Sequence, residues 1–274
     1  MCIRDRNKIF HTDHALIGDA RVTLQALIEE LTKRTSGSGI ERDNIVDEIL
    51  GERQKDEAKY HDALNSSETP INPYRVYADI MKVLDPQQSF VTHESGNTRD
   101  QLSTVYETQI PRGFLGWGNV SSLGFSLPAA MAAKIAYPDR YSVAVTGEAG
   151  LGYMLGNLEV PVRENIGITV IHISNGGFSG YGPGFWGDGH DPYTHKVLSY
   201  ENVDMSKVIG EMGLHSERIY QPDDIVGAIE RAMAANDKGQ PAYIEFVCIQ
   251  YLSLIHISEP TRRYAISYAV FCLK

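Results

Sequence analysis

The chain has 274 residues, of which 42% are apolar, enough for a sizeable core in one or two globular domains. Its net charge of −10, from 35 acidic and 25 basic residues, argues against nonspecific nucleic-acid binding and against docking on an anionic membrane surface. No run approaches the roughly 20 apolar residues that span a bilayer, and the N-terminus lacks the apolar core of a secretory signal, so a cytoplasmic setting is expected.

Met1 to Arg6 (MCIRDR) and Leu252 to Lys274 resemble translated sequencing-adapter sequence and are expected to be foreign to the fold. A genuine apolar C-terminal strand pair or helix is the alternative. Asn7 to Arg34 reads as a strand, centred on His14 to Ile17, followed by a helix in which Leu24, Leu27 and Leu31 recur at helical spacing. Asp19, just ahead of that helix, reads as its N-cap. Thr35 to Pro70 is polar, part linker and part solvated helix carrying the charged run Glu48 to Lys59.

From Asn72 the pattern becomes that of a folded domain. Pro73 to Leu84 is a helix with Val76, Ile80 and Val83 on one side, and Phe90 to Thr92 is a strand that ends in His93-Glu94-Ser95-Gly96. Either His93 or Glu94 could face a site there, although a turn with a satisfied polar pair is the plainer reading. Leu127 to Ile135 is a small-residue helix suited to close packing, and Pro138-Asp139-Arg140 turns into the next strand.

That strand, Tyr141 to Val145, opens into Gly147-Glu148-Ala149-Gly150. Tyr153 to Glu164 then reads as a helix interrupted by Pro161, and Ile168 to Ile173 as a second buried strand ending in Ser174-Asn175-Gly176-Gly177. A right-handed crossover makes the two strands parallel, so Glu148 and Asn175 should open on the same edge of the sheet, where ligands bind. A carboxylate oxygen, an amide oxygen and closely approaching backbone suit a divalent cation that carries a phosphate ester, with backbone N–H groups from Glu148 to Gly152 on the phosphate oxygens.

Beyond this unit, Gly180 to Thr194 is rich in glycine and aromatics without a period, as expected of a lid or substrate loop, with Trp186, His190 and Tyr193 as candidate contacts. Its Gly187-Asp188-Gly189 has no buried strand before it and is set aside. Asp204 caps a helix to Met212, His215 to Ile219 is a short strand, Pro222 to Ala235 a helix, and Ala242 to Ile249 a final strand that buries Cys248. With Cys2 and Cys272, Cys248 is too isolated for a zinc site or a disulfide framework. Strands alternating with helices predict an α/β fold, a doubly wound parallel sheet flanked by helices.

GEAG and SNGG resemble the GDG…NN diphosphate motif of thiamine-diphosphate enzymes, and GFSLPAAMAAKIAYPDR at Gly124 to Arg140 is similar to the block that precedes it. Asn72 to Tyr251 looks like their C-terminal, diphosphate-binding domain, in the acetolactate synthase-like superfamily. HALIGDARVTLQALIEEL is similar to the end of the family's central α/β domain. The resemblance divides the chain into a central-domain remnant at 7–35, a linker at 36–70 and the cofactor domain at 71–251, with foreign ends at 1–6 and 252–274.

It implies thiamine diphosphate and Mg2+ as cofactors. Glu148, Asn175 and the carbonyl of Gly177 would be metal ligands, with Gly147, Ala149 and Gly150 at the diphosphate. Leu123 would wedge between the cofactor rings, and the Ser121 carbonyl would accept from the aminopyrimidine. Three positions depart from the family's pattern. Glu148 is one methylene longer than aspartate, which predicts weaker magnesium affinity; Ala149 replaces a glycine whose backbone could need positive φ; Ser174 replaces the first asparagine.

The resemblance further implies decarboxylation and carboligation of 2-oxo acids by a homodimer or homotetramer. The glutamate that activates the pyrimidine lies on a domain outside this chain, so these residues alone should be inactive. Whether FAD sits in the central domain stays open. The alternatives are an NAD-type dinucleotide-binding dehydrogenase domain, suggested by Gly147, Gly150 and Gly152, and a binding-only relative without turnover.

Overall fold

The computed structural model describes residues 13–35, 44–118, 120–177 and 203–250. Its contacts divide the chain into two units, residues 1–57 and 58–274. The first holds α1 (Ala20–Arg34) and the start of α2 (Ile45–Leu64). Asp19 caps α1 as expected, its carboxylate accepting from the N–H groups of Arg21 and Val22 at 3.1 Å each. His14 to Ile17 does not form the expected strand. An apolar run becomes a strand only where another strand pairs with its backbone, and this one stays exposed with no ladder.

The second unit is organised by a six-stranded sheet. In chain order its elements are α3 (Pro73–Val83), β1 (Ser89–His93), α4 (Asn97–Val105), β2 (Phe114–Leu115), α5 (Ser126–Ala136) and β3 (Tyr141–Thr146). After β3 come α6 (Glu148–Met154), α7 (Glu159–Arg163), β4 (Thr169–Ser174), α8 (Met205–Gly210), β5 (His215–Ile219), α9 (Ile225–Asn236) and β6 (Ala242–Val247). The strand order is β2-β1-β3-β4-β6-β5, and every neighbouring pair is parallel. The expected doubly wound α/β architecture is the one observed.

Alternation along the strands divides their apolar side chains between two layers. One core joins Val143, Val145, Ile171, Ile173, Ile244 and Phe246 to helices α3 and α9. The other joins Ala144, Val170 and Tyr243 to α5, α6 and α8. The chain runs from β1 outward to β2 and then returns to place β3 on the other side of β1, so a reversal point lies between β1 and β3. In open α/β sheets the crevice beyond the strand ends at such a point is where ligands bind.

Between β3 and β4 the chain departs from the expected turn and single helix. Helix α6 begins at Glu148 itself, a 3-10 stretch covers Leu155–Leu158, and α7 comes directly after it. Pro161 does not break α7, because it is that helix's third residue, where an N–H has no intrahelical acceptor. The short helix α4 and the strand β2 have no counterpart in the sequence pattern.

Candidate functional site

Strands β3 and β4 are hydrogen-bonded neighbours, with Thr146 opposite His172, so the segments leaving their carboxyl ends emerge on one rim. At the end of β3, Gly147 is extended and Glu148 opens α6. Its carboxylate crosses to the end of β4, where one oxygen accepts from the backbone N–H groups of Asn175 at 2.7 Å and Gly176 at 2.8 Å. Gly176 takes a positive φ of 75°, which aims two successive N–H groups at one acceptor. The Asn175 side-chain oxygen accepts from the Gly177 N–H at 3.2 Å, so the acid and the amide meet in a single turn.

Burial pushes the Glu148 carboxyl up to about 7 against the pull of these backbone donors, and the charge of Glu245 adds to the rise. No basic side chain is among the described groups acting on it. Ala149 raises none of the conformational difficulty foreseen, because it sits in the first turn of α6 and does not have positive φ. Gly150 has a reason internal to the protein: a Cβ there would lie 2.2 Å from Glu94 Cγ and 2.7 Å from Thr146 Oγ1.

Glu94 and His93, at the end of β1, are both buried. One Glu94 oxygen accepts from the N–H groups of Ser95 at 3.1 Å and Phe125 at 3.4 Å; the other accepts from the Ser126 N–H at 3.2 Å and the Ser126 hydroxyl at 2.9 Å. The turn with a satisfied polar pair is thus the better description, but most of the partners lie a long way along the chain. The His93 ring lies against Phe114 and Gly116, where a Cβ would come within 2.1 Å of it, and burial lowers its basicity.

Just ahead of α5, Ser121 to Gly124 makes a bend, with φ of 59° at Ser121 and 85° at Gly124. The bend exposes Leu123, and the Ser121 hydroxyl lies 2.5 Å from that of Ser95. Gly124 is needed twice over, because a Cβ there would also meet Met154 at 2.9 Å. Trp186, His190, Tyr193 and Gly187-Asp188-Gly189 lie outside the described residues, as do both terminal segments.

Sequence reasoning missed a polar row across the α5–α6–α8 face. Thr146, His172, Glu245 and Arg218 stand in register on β3, β4, β6 and β5. His172 Nδ1 is 2.7 Å from the Tyr243 hydroxyl, its Nε2 has no hydrogen-bond partner among the described residues, and burial holds the imidazole down to about 3. Glu245 accepts from the Ser206 N–H at 3.1 Å and stands 3.5 Å from Arg218. The signal available was a histidine and a glutamate inside otherwise apolar strands.

A parallel sheet that brings an acid and an amide oxygen together at adjacent carboxyl ends makes an α/β domain of the kind that binds ligands in the crevice beyond those ends. Residues 94–246 match the family described as thiamine pyrophosphate enzyme, C-terminal TPP binding domain, and the chain belongs to that family. It is similar to a 2-hydroxyacyl-CoA lyase of Arabidopsis thaliana, 26% identical over 85% of this chain and 41% of the relative. It is also similar to a probable acetolactate synthase large subunit of Methanococcus aeolicus, 23% identical over 84% of this chain and 39% of the relative. An acetolactate synthase large subunit of Buchnera aphidicola is 23% identical over 88% and 40%. The chain spans about two fifths of the length of these relatives. Among the described residues, no helix is long and apolar enough to cross a membrane.

Proposed function

We propose that this chain is the thiamine diphosphate- and Mg2+-binding portion of an acetolactate synthase-like enzyme that decarboxylates 2-oxo acids and ligates the product to a second carbonyl compound. The observation that carries the reading is the reach of Glu148 from the end of β3 into the Asn175–Gly177 turn after β4. It brings the carboxylate to the turn that carries the Asn175 amide oxygen, and oxygen is the donor that magnesium takes. The donor set fits the ion. A carboxylate that burial disfavours, with no described basic side chain acting on it, is one that a cation would stabilise.

Glu148, Asn175 and the Gly177 carbonyl would hold the metal, and Gly147, Ala149 and Gly150 would lie at the diphosphate. The extra methylene of glutamate lets the carboxylate reach the β4 turn, and two backbone donors compete with a metal for its lone pairs, so magnesium binding is expected to be weaker than with aspartate. The exposed Leu123 would support the rings, with the Ser121 carbonyl toward the pyrimidine. When bound, the cofactor supplies the carbanion chemistry; this domain orients it, supplies the cation and excludes water around the diphosphate. Activity is proposed to require a homodimer or homotetramer and a glutamate from a domain beyond this chain, in a cytoplasmic setting.

Calorimetric titration of the chain with thiamine diphosphate and with NAD, each with Mg2+ and with a chelator, tests the reading. Thiamine diphosphate is expected to bind only with the metal and NAD not at all. Binding of NAD instead, or metal-independent binding of thiamine diphosphate, would contradict it.

A further inference from the structure

The buried carboxylate of Glu94 has no part in the proposed metal set, yet it connects three segments around it. It satisfies the N–H groups of Phe125 and Ser126, which open the eleven-residue helix α5 and have no acceptor within it. The negative charge at that end is favoured by the helix dipole. It also holds the Ser126 hydroxyl and the Ser95 N–H, while its Cγ leaves room for no more than a hydrogen on Gly150 at the start of α6. Phe125 is the residue after Gly124, so the carboxylate fixes one end of the Ser121–Gly124 bend, and the Ser95–Ser121 hydroxyl contact fixes the other.

We propose that Glu94 is a positioning residue that sets the Ser121–Gly124 bend, and with it Leu123 and the Ser121 carbonyl, against the ring end of the bound cofactor. This inference rests on the thiamine-diphosphate reading. The bend holds a non-glycine residue at φ 59° and an exposed leucine, a conformation the segment keeps only where its ends are held. Both carboxylate oxygens accept, four donors in all, so no amide can replace the group. Glu94→Gln keeps the volume but turns an NH2 toward N–H and O–H donors.

The diphosphate anchor lies in another turn, so ring-dependent and ring-independent binding should separate. The test compares the affinity of the chain, with Mg2+, for thiamine diphosphate and for inorganic diphosphate. Glu94→Gln is expected to weaken thiamine diphosphate about tenfold and inorganic diphosphate less than about twofold. Ser95→Ala, which removes only the exposed hydroxyl contact, should show the same selectivity at about two- to threefold, and it carries the test should Glu94→Gln fail to fold. Asp79→Asn, which weakens the ion pairs that the buried Asp79 carboxylate makes with Arg75 and the half-exposed Lys82 on α3 across the sheet, is a control for general destabilisation and should leave the ratio of the two affinities unchanged. Equal loss for both ligands in the Glu94 and Ser95 variants, or no loss in either, overturns the inference while leaving the functional reading intact. Failure of wild type to bind thiamine diphosphate overturns both.

Discussion

On the face covered by α3 and α9 the central strands β3, β4 and β6 carry Val143 and Val145, Ile171 and Ile173, and Ile244 and Phe246, apolar up to their carboxyl ends. On the face covered by α5, α6 and α8 they start the same way, with Ala144, Val170 and Tyr243, and then change to Thr146, His172, Glu245 and Ser174 toward the carboxyl ends. The same three strands supply both faces. Burying polar groups costs free energy unless each finds a partner, so the second face gives up stability along the half nearest Glu148 and Asn175. The contrast separates a part of the molecule that holds the fold from a part that buries polar groups beside the candidate site.

Truncation of the apolar face should have the largest effect. Phe246→Ala is expected to cost about 3–5 kcal/mol, measured by urea unfolding, because Phe246 is wholly enclosed in the α3–α9 core. A loss under about 1 kcal/mol would show that this face is not the stable one.

The next effect has the opposite sign. The Glu148 carboxyl, at about 7 in the folded chain, lies above its ordinary value of 4.5, so folding favours its protonated form. Stability should therefore fall as pH rises from 4.5 to about 7 and remain low above it. Glu148→Gln removes that penalty, and without metal at pH 8 its unfolding free energy should exceed that of wild type by on the order of 2 kcal/mol.

His172 moves in the other direction. Its imidazole is held down to about 3 from 6.5, so the stability it contributes is complete above 6.5 and is lost as pH falls below that value. At pH 5 wild type should have lost on the order of 2 kcal/mol that a His172→Gln variant does not lose, judged by the difference between the two chains at pH 8 and pH 5. Parallel pH profiles would contradict the burial of an uncharged ring. The smallest change is Thr92→Val, which removes a 2.7 Å bond from β1 to the Ser126 carbonyl and should cost about 1 kcal/mol.

Much of the sheet was legible because its strands are short runs rich in apolar residues, such as Tyr141 to Val145 and Ile168 to Ile173, set off by turn residues. His215 to Ile219 coincides with β5, and Tyr141 to Val145 falls one residue short of β3. Helix α4 was not legible: Asn97 to Val105 has too few apolar residues to show a period, and it is fixed by packing on its neighbours. His14 to Ile17 shows the converse, an apolar run without a strand to pair with. At the site, the meeting of Glu148 with Asn175 is a consequence of two parallel strand ends and could be read from spacing. The bonds from Glu94 to Phe125 and Ser126 join segments about thirty positions apart, and nothing local to His93-Glu94-Ser95 announces them.

The most direct test is thermal unfolding of wild type and Glu148→Ala, each with and without Mg2+ and thiamine diphosphate together. A bound ligand raises the midpoint according to its occupancy of the folded state. Wild type should shift upward by several degrees and Glu148→Ala should stay in place; an equal shift in the two proteins would contradict the assignment of Glu148 to the metal.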